Sequence, residues 1–152
     1  MMSPSRTTET LETLETLNEL LRGELAAVEM YNRALRLVGP ESAQRADLEQ
    51  CQISHENRAL RLRSEILELG GEPVSTGEAW GASARLVEGE SQLAGPNVAI
   101  AALVATERRG LEEYRQSLPR LDFHSRNLVL VDLYPQQVST DSLMASLTHA
   151  RF

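Results

Sequence analysis

Two short polar motifs interrupt apolar helical stripes at matching places in the chain. The first is Gln52-Ile-Ser-His55, and the second is Gln137-Val-Ser-Thr140. The outer residues of each motif stand three positions apart, so a helix would place them on one face. That face otherwise carries Leu, Ile and Met and would be buried in a bundle. Amide, imidazole and hydroxyl groups in such positions indicate a functional site, or the remains of one.

Two carboxylates occupy equivalent places in the other predicted helices. Glu24 and Glu107 each replace an apolar residue in the middle of a stripe. Carboxylate and imidazole groups are ligands for divalent transition metals in helical bundles. We therefore predict that these side chains meet at one level of the interior. The predicted polar layer consists of Glu24, Gln52, His55, Glu107, Gln137 and Thr140.

Four amphipathic helices must position this layer. Apolar residues recur every three or four positions over residues 9–38, 42–69, 97–118 and 122–149. Short connections after the first and third helices predict two antiparallel hairpins. Residues 70–96, rich in Gly, Ser, Pro and Glu, predict a long crossover with a short helix near Trp80. Residues 1–8 are expected to form a flexible tail, and residues 9–152 a single all-α domain.

The third and fourth helices repeat the pattern of the first two. Glu24 precedes Tyr31 by seven residues, and Glu107 precedes Tyr114 by the same interval. The two polar motifs of the second and fourth helices match in the same way, which indicates an internal duplication. Pro135 lies inside the fourth helix and predicts a kink just ahead of Gln137, because proline removes a backbone donor.

Composition excludes several classes of function. The formal net charge is −7, which argues against a surface for nucleic acid or anionic lipid. The single Cys51 excludes an internal disulfide and a thiolate metal cluster. No apolar run reaches the roughly 20 residues that a transmembrane helix needs. We expect a soluble cytoplasmic protein.

The order of these residues resembles the di-iron carboxylate pattern of ferritin-like bundles, which have Glu on the first and third helices and Glu-x-x-His on the second and fourth. Two further stretches are similar to an uncharacterised bacterial domain-of-unknown-function family in the ferritin-like superfamily, itself distantly similar to rubrerythrins. They are Leu17-Asn-Glu-Leu-Leu21 with Glu24 to Tyr31, and the turn Gly70-Gly-Glu-Pro73 before the segment containing Trp80. The resemblance implies a ferritin-like four-helix bundle. It implies no activity, because that family has no established one.

The chain departs from the di-iron pattern at three ligand positions. Gln52 and Gln137 stand where the pattern has Glu, and Thr140 stands where it has the second His. Two carboxylates cannot neutralise two divalent cations in a poorly solvated interior, so a dinuclear centre is disfavoured. The good metal ligands that remain are Glu24, His55 and Glu107.

Two interpretations stay open at this point. In the first, the layer is a hydrogen-bonded network without a cofactor, in a structural or interaction protein that is not an enzyme. In the second, Glu24, His55 and Glu107 hold a single Fe, Mn or Zn ion, with support from Gln52, Gln137 and Thr140, and the protein handles metal or peroxide. Apolar flanks of the first or third helix favour a homo-oligomer. The sequence indicates neither a nucleic-acid nor a membrane partner, and it identifies no protein partner.

Overall fold

The structure is a computed structural model that describes residues 4–77 and 95–149. Within these ranges the long regular elements are helices. They are α1 (Pro4–Leu37), α2 (Arg45–Glu68), α3 (Pro96–Ser117) and α4, which has the three successive segments Phe123–Leu128, Val129–Leu133 and Tyr134–His149. The helix bounds lie close to those predicted, except that α1 begins at Pro4. The second half of the expected tail is therefore helical, with proline at a first-turn position that favours it.

The end of α2 follows from its two glycines. Gly70 has a φ of 81°, a left-handed conformation that glycine adopts without a Cβ clash. The Gly71 amide donates to the Ile66 carbonyl at 2.9 Å, and the Gly70 amide donates to the Leu67 carbonyl at 3.0 Å. These two bonds form a Schellman motif, which satisfies carbonyls left without partners by the last turn of α2.

The fourth helix carries a deformation close to where Pro135 predicted one. Its segment Val129–Leu133 is a π-helical turn, which lies directly before the regular helix that contains Pro135. Proline has no amide hydrogen to donate, and a wider turn accommodates that missing bond. Asp122 caps the start of α4 by accepting a hydrogen bond from the Ser125 amide at 2.9 Å.

The first part of the crossover runs along α1. Asn18 donates to the Glu72 carbonyl at 3.1 Å and accepts from the Val74 amide at 2.9 Å. A Cβ on Gly77 would lie 2.5 Å from the Ala26 backbone nitrogen, so this close approach requires glycine. The crossover thus advances from Asn18 towards Ala26, and α3 begins at the opposite end of the bundle from the end of α2. The short helix predicted near Trp80 lies outside the described residues.

Two apolar clusters fill the ends of the bundle interior. One contains Met30, Leu48, Ile100, Leu103 and Met144, and the other contains Leu17, Leu62, Ile66, Val129 and Leu133. These side chains come from all four helices, so both clusters tie the two hairpins together. Among the helices of the described residues, none combines the length and apolar character that a membrane crossing requires.

Candidate functional site

A buried polar network lies between the two apolar clusters, with His55 at its centre. His55 Nδ1 lies 2.8 Å from Glu24 Oε2, and His55 Nε2 lies 2.5 Å from Glu107 Oε2. A carboxylate only accepts hydrogen bonds, so each ring nitrogen must donate one. With both glutamates ionised, the geometry is that of an imidazolium held between two carboxylates.

The pKa shifts agree with this protonation state. Burial alone lowers the pKa of His55, but the charges of Glu24 and Glu107 and their hydrogen bonds outweigh it, so the pKa lies above its ordinary value. Burial alone raises the pKa of Glu107, but the charge and hydrogen bond of His55 outweigh it and hold that pKa below its ordinary value. The two shifts act in the directions that favour a protonated His55 and an ionised Glu107.

A second buried cation, Arg58, lies next to His55 and was not predicted. Its side chain is 0% exposed. Its Nη1 donates to Gln137 Oε1 and, at 3.4 Å, to Glu24 Oε1, while its Nη2 donates to Thr140 Oγ1 at 3.1 Å. The guanidinium stays protonated in proteins, so it adds a permanent positive charge to the layer.

Gln137 and Thr140 link this guanidinium to Glu107. Gln137 Nε2 donates to Glu107 Oε1 at 3.1 Å, and Thr140 Oγ1 donates to the same oxygen at 2.6 Å. A Cβ on Gly110 would come within 2.9 Å of Gln137 Nε2, so the absence of a side chain there leaves room for the amide. The structure places both residues in the predicted layer.

Tyr31 and Tyr114, which stand at the same interval after Glu24 and Glu107, also belong to the network. Tyr31 donates its hydroxyl hydrogen to Glu107 Oε2 at 2.7 Å, and Tyr114 donates to Glu24 Oε1 at 3.1 Å. Each tyrosine thus binds the carboxylate of the other hairpin. Burial and the adjacent carboxylates raise the pKa of both phenols well above their ordinary value, so both remain protonated donors.

Gln52 does not join this network, so its predicted place in the layer is wrong. It is half-buried, and its Nε2 donates to Asn32 Oδ1 across the contact between α1 and α2. Cys51 is fully buried in its place. The helical repeat of 3.6 residues explains the difference, because steps of three and four define a stripe that can shift by one residue. Burial raises the pKa of the Cys51 thiol to about 12, which keeps it protonated.

The sequence contained a spacing signal for Arg58. Arg58 follows His55 by three residues and precedes Leu62 by four, which is the spacing of the buried stripe. Ala59 fits the same stripe and is apolar, so periodicity alone favours Ala59 over Arg58 as the core residue. Both residues are in fact buried. Arginine is seldom buried without a charged partner, and sequence alone does not show that Glu24 supplies one.

Comparisons with known proteins address the architecture. No protein-family model and no curated protein matches the chain. A solved structure from Bacillus anthracis str. Ames, described as ferritin like, diiron-carboxylate proteins, matches with a TM-score of 0.69 and 19% identity, over 96% of this chain and 99% of that one. The fold is that of a ferritin-like four-helix bundle. This confirms the predicted fold class.

The polar layer of this ferritin-like bundle does not fit a di-metal centre. Both nitrogens of His55 are engaged with carboxylates, so neither offers a lone pair to a metal. Arg58 already places a positive charge beside Glu24. The cavity at the layer measures about 10 Å³, which is room for about one water and not for two hydrated cations. Among the described residues no group of three or more His, Cys, Asp or Glu side chains is arranged to hold a metal ion.

Proposed function

We propose that this ferritin-like bundle is a non-enzymatic structural or interaction protein in which two side-chain cations balance the interior carboxylates. His55 and Arg58 take the charge-balancing role that metal ions have in di-metal bundles. The observation that carries the proposal is the fully buried guanidinium of Arg58, bonded to Glu24, Gln137 and Thr140. The layer is then a degenerate form of a di-iron-type site, in a cytoplasmic protein related to the bacterial family that its sequence resembles.

The charges of the layer support this assignment. Glu24 and Glu107 contribute two negative charges, and protonated His55 and Arg58 contribute two positive charges. Isolated charges in an interior destabilise the fold strongly, whereas hydrogen-bonded pairs are tolerated. Adding a divalent cation would leave the layer with excess positive charge. Among the described residues, every buried side-chain nitrogen and oxygen has a hydrogen-bond partner.

The reactivity of the buried groups favours a role without chemistry at the layer. The buried thiol of Cys51 and the phenols of Tyr31 and Tyr114 are all held in their protonated forms. The cavity of about 10 Å³ offers no volume for an organic substrate. A structural or interaction role requires neither a reactive group nor a substrate cavity.

A metalloprotein is the second candidate function. Glu24 and Glu107 each place a carboxylate oxygen within 2.8 Å of a different ring nitrogen of His55, so the three candidate ligands lie together in one layer. A single Fe, Mn or Zn ion there would require His55 to lose a proton and Arg58 to leave Glu24. Metal uptake by the unaltered protein would establish that this rearrangement occurs.

Elemental analysis of the purified protein tests the proposal. The chain is prepared without chelator or affinity metal, then incubated with Fe(II), Mn(II) or Zn(II) and desalted. We expect no retained metal, because the two cations already neutralise Glu24 and Glu107. Retention of about one equivalent per chain, lost in the Glu24→Gln, Glu107→Gln double variant, would overturn the proposal in favour of the metalloprotein.

An Arg58→Leu variant sharpens this test. The substitution removes one cation and its bulk from the layer and leaves a carboxylate to be neutralised. If Arg58 excludes metal, the variant should retain more Zn(II) than the unaltered protein. The matched control is Arg61→Leu, which removes an exposed arginine one turn further along α2 and should leave the metal content unchanged. Equal metal content in all three proteins, at about one equivalent each, would contradict the exclusion.

A further inference from the structure

The outer face of α2 carries an apolar line that the bundle does not use. Ile53, Leu60 and Leu67 follow one another at intervals of seven residues, and their side chains are 56%, 62% and 54% exposed. The exposed Ala46 extends the line by one more step. Seven residues make almost two helical turns, so these positions share one face. That face lies opposite the buried stripe of α2.

The large exposed apolar residues of the described segments are unevenly distributed. The face of α2 holds three of them, whereas α1 holds Leu11 and α3 holds none. The remaining four, Phe123, Leu130, Val131 and Val138, lie on α4, but no three of them follow one another at intervals of seven residues. The expected oligomer contact through the first or third helix is therefore less favoured than one through α2.

Two opposite charges flank the apolar line on one side. Glu56 and Arg63 are exposed and stand seven residues apart, so both lie along the same edge of the α2 face. Within the described part of the chain, neither forms an ion pair with another side chain. If a second α2 packs along this edge in the opposite direction, the acid of each helix faces the base of the other.

We propose that α2 packs antiparallel against α2 of a second copy of this chain, with the twofold axis at Leu60. Ile53 and Leu67 are equally far from Leu60, so Ile53 of one copy would contact Leu67 of the other copy. Glu56 lies four residues before the axis and Arg63 three after it. Glu56 of one copy would therefore lie opposite Arg63 of the other copy, and the twofold symmetry forms this ion pair twice.

The chemistry of this face favours a second copy over a different protein. Its apolar centre and its paired charges are both self-complementary under a twofold rotation. The contact involves one helix from each copy, so its area is small and the dimer should dissociate reversibly in the micromolar range. The inference rests on the proposed interaction role, but it does not depend on what neutralises the polar layer.

Sedimentation equilibrium of the full chain tests the dimer. The unaltered protein should change from monomer to dimer over roughly 1 to 300 µM. Leu60→Glu should weaken association by about a hundredfold or more, because it places two carboxylates at the centre of the interface. Leu11→Glu, which alters an equally exposed leucine of α1, should leave association unchanged. A monomer at every concentration, or equal weakening by both variants, would overturn the proposal.

A charge exchange tests the antiparallel arrangement. Arg63→Glu and Glu56→Arg should each weaken association by about tenfold, since each turns two attractive pairs into repulsive ones. The double variant restores both attractions with the charges exchanged, so it should associate like the unaltered protein. Double-variant association as weak as that of the single variants would overturn this geometry. Metal content, measured on the same preparations, tests the proposed function separately, because metal uptake would leave the dimer result standing.

Discussion

The two hairpins of this bundle contribute matching anions to the interior but very different cations. Each contributes one buried carboxylate, Glu24 or Glu107. Each also contributes one tyrosine that donates to the carboxylate of the other hairpin. This part of the layer follows the repeated sequence pattern of Glu24 to Tyr31 and Glu107 to Tyr114. The negative charge of the site is therefore shared equally between the two hairpins.

The positive charge comes entirely from α2. At the positions that match His55 and Arg58, the second hairpin has Thr140 and the half-buried Leu143. The two glutamines differ as well, since Gln137 is 1% exposed and joins the layer, whereas Gln52 bonds to Asn32 outside it. Both hairpins thus supply a carboxylate, while the first also supplies the cations and the second the neutral groups that bind Arg58.

Removal of the Arg58 guanidinium should have the largest effect on stability. We expect Arg58→Leu to reduce the free energy of unfolding by about 3–5 kcal/mol, because it leaves a buried carboxylate without its cation. Urea unfolding monitored by circular dichroism measures the change. The control Arg61→Leu breaks only an exposed ion pair with Asp132 and should cost no more than about 1 kcal/mol. If Arg58→Leu itself loses less than about 1 kcal/mol, the guanidinium is dispensable for stability.

The two glutamines provide a direct comparison of the matching positions. Gln137→Ala should cost about 2–3 kcal/mol, because it leaves Arg58 and Glu107 each short of a buried hydrogen bond. Gln52→Ala removes a half-buried bond to Asn32 and should cost about 1 kcal/mol or less. The same unfolding measurement ranks the two variants. Equal losses would contradict the different roles assigned to the two copies.

The protonation of His55 should appear as a pH dependence of stability. Its pKa is raised in the folded state above the ordinary 6.5, so its contribution is fully present below about pH 6.5 and is lost as pH rises through the folded value. The pKa of Glu107 is lowered below 4.5, so its contribution is present above that value and is lost as pH falls. The free energy of unfolding should thus decline on both sides of a plateau, by no more than about 1.4 kcal/mol per pH unit for each proton.

A His55→Gln variant tests whether His55 causes the fall in the free energy of unfolding at alkaline pH. It should remove most of the fall in stability above about pH 6.5, because no other buried histidine is present in the described layer. His124 also has a raised pKa, through its exposed hydrogen bond to Glu65. The comparison is therefore made in a His124→Gln background. An unchanged alkaline decline after removal of His55 would contradict its assignment as the buried cation.

Most of the fold could be predicted from sequence, because helical periodicity and glycine or proline at helix ends depend on local structure. Local helical spacing also predicted most of the polar layer. Five of its six proposed residues lie together in the structure, namely Glu24, His55, Glu107, Gln137 and Thr140. Gln52 failed because a stripe defined by steps of three and four can shift by one residue. Arg58 was missed because burying a guanidinium requires partners on other elements, here Glu24 of α1 with Gln137 and Thr140 of α4, and such long-range pairing leaves no local signal.

Nitrogen NMR of histidine-labelled protein reports directly whether His55 is a buried cation or a metal ligand. The chemical shifts of Nδ1 and Nε2 of His55 are recorded at neutral pH, before and after addition of Zn(II). We expect both nitrogens to carry a hydrogen, since each bonds to an ionised carboxylate of Glu24 or Glu107, and we expect Zn(II) to leave both signals unchanged. A His55 nitrogen without hydrogen, whose signal shifts when Zn(II) is added, would contradict the account and identify the layer as a metal site.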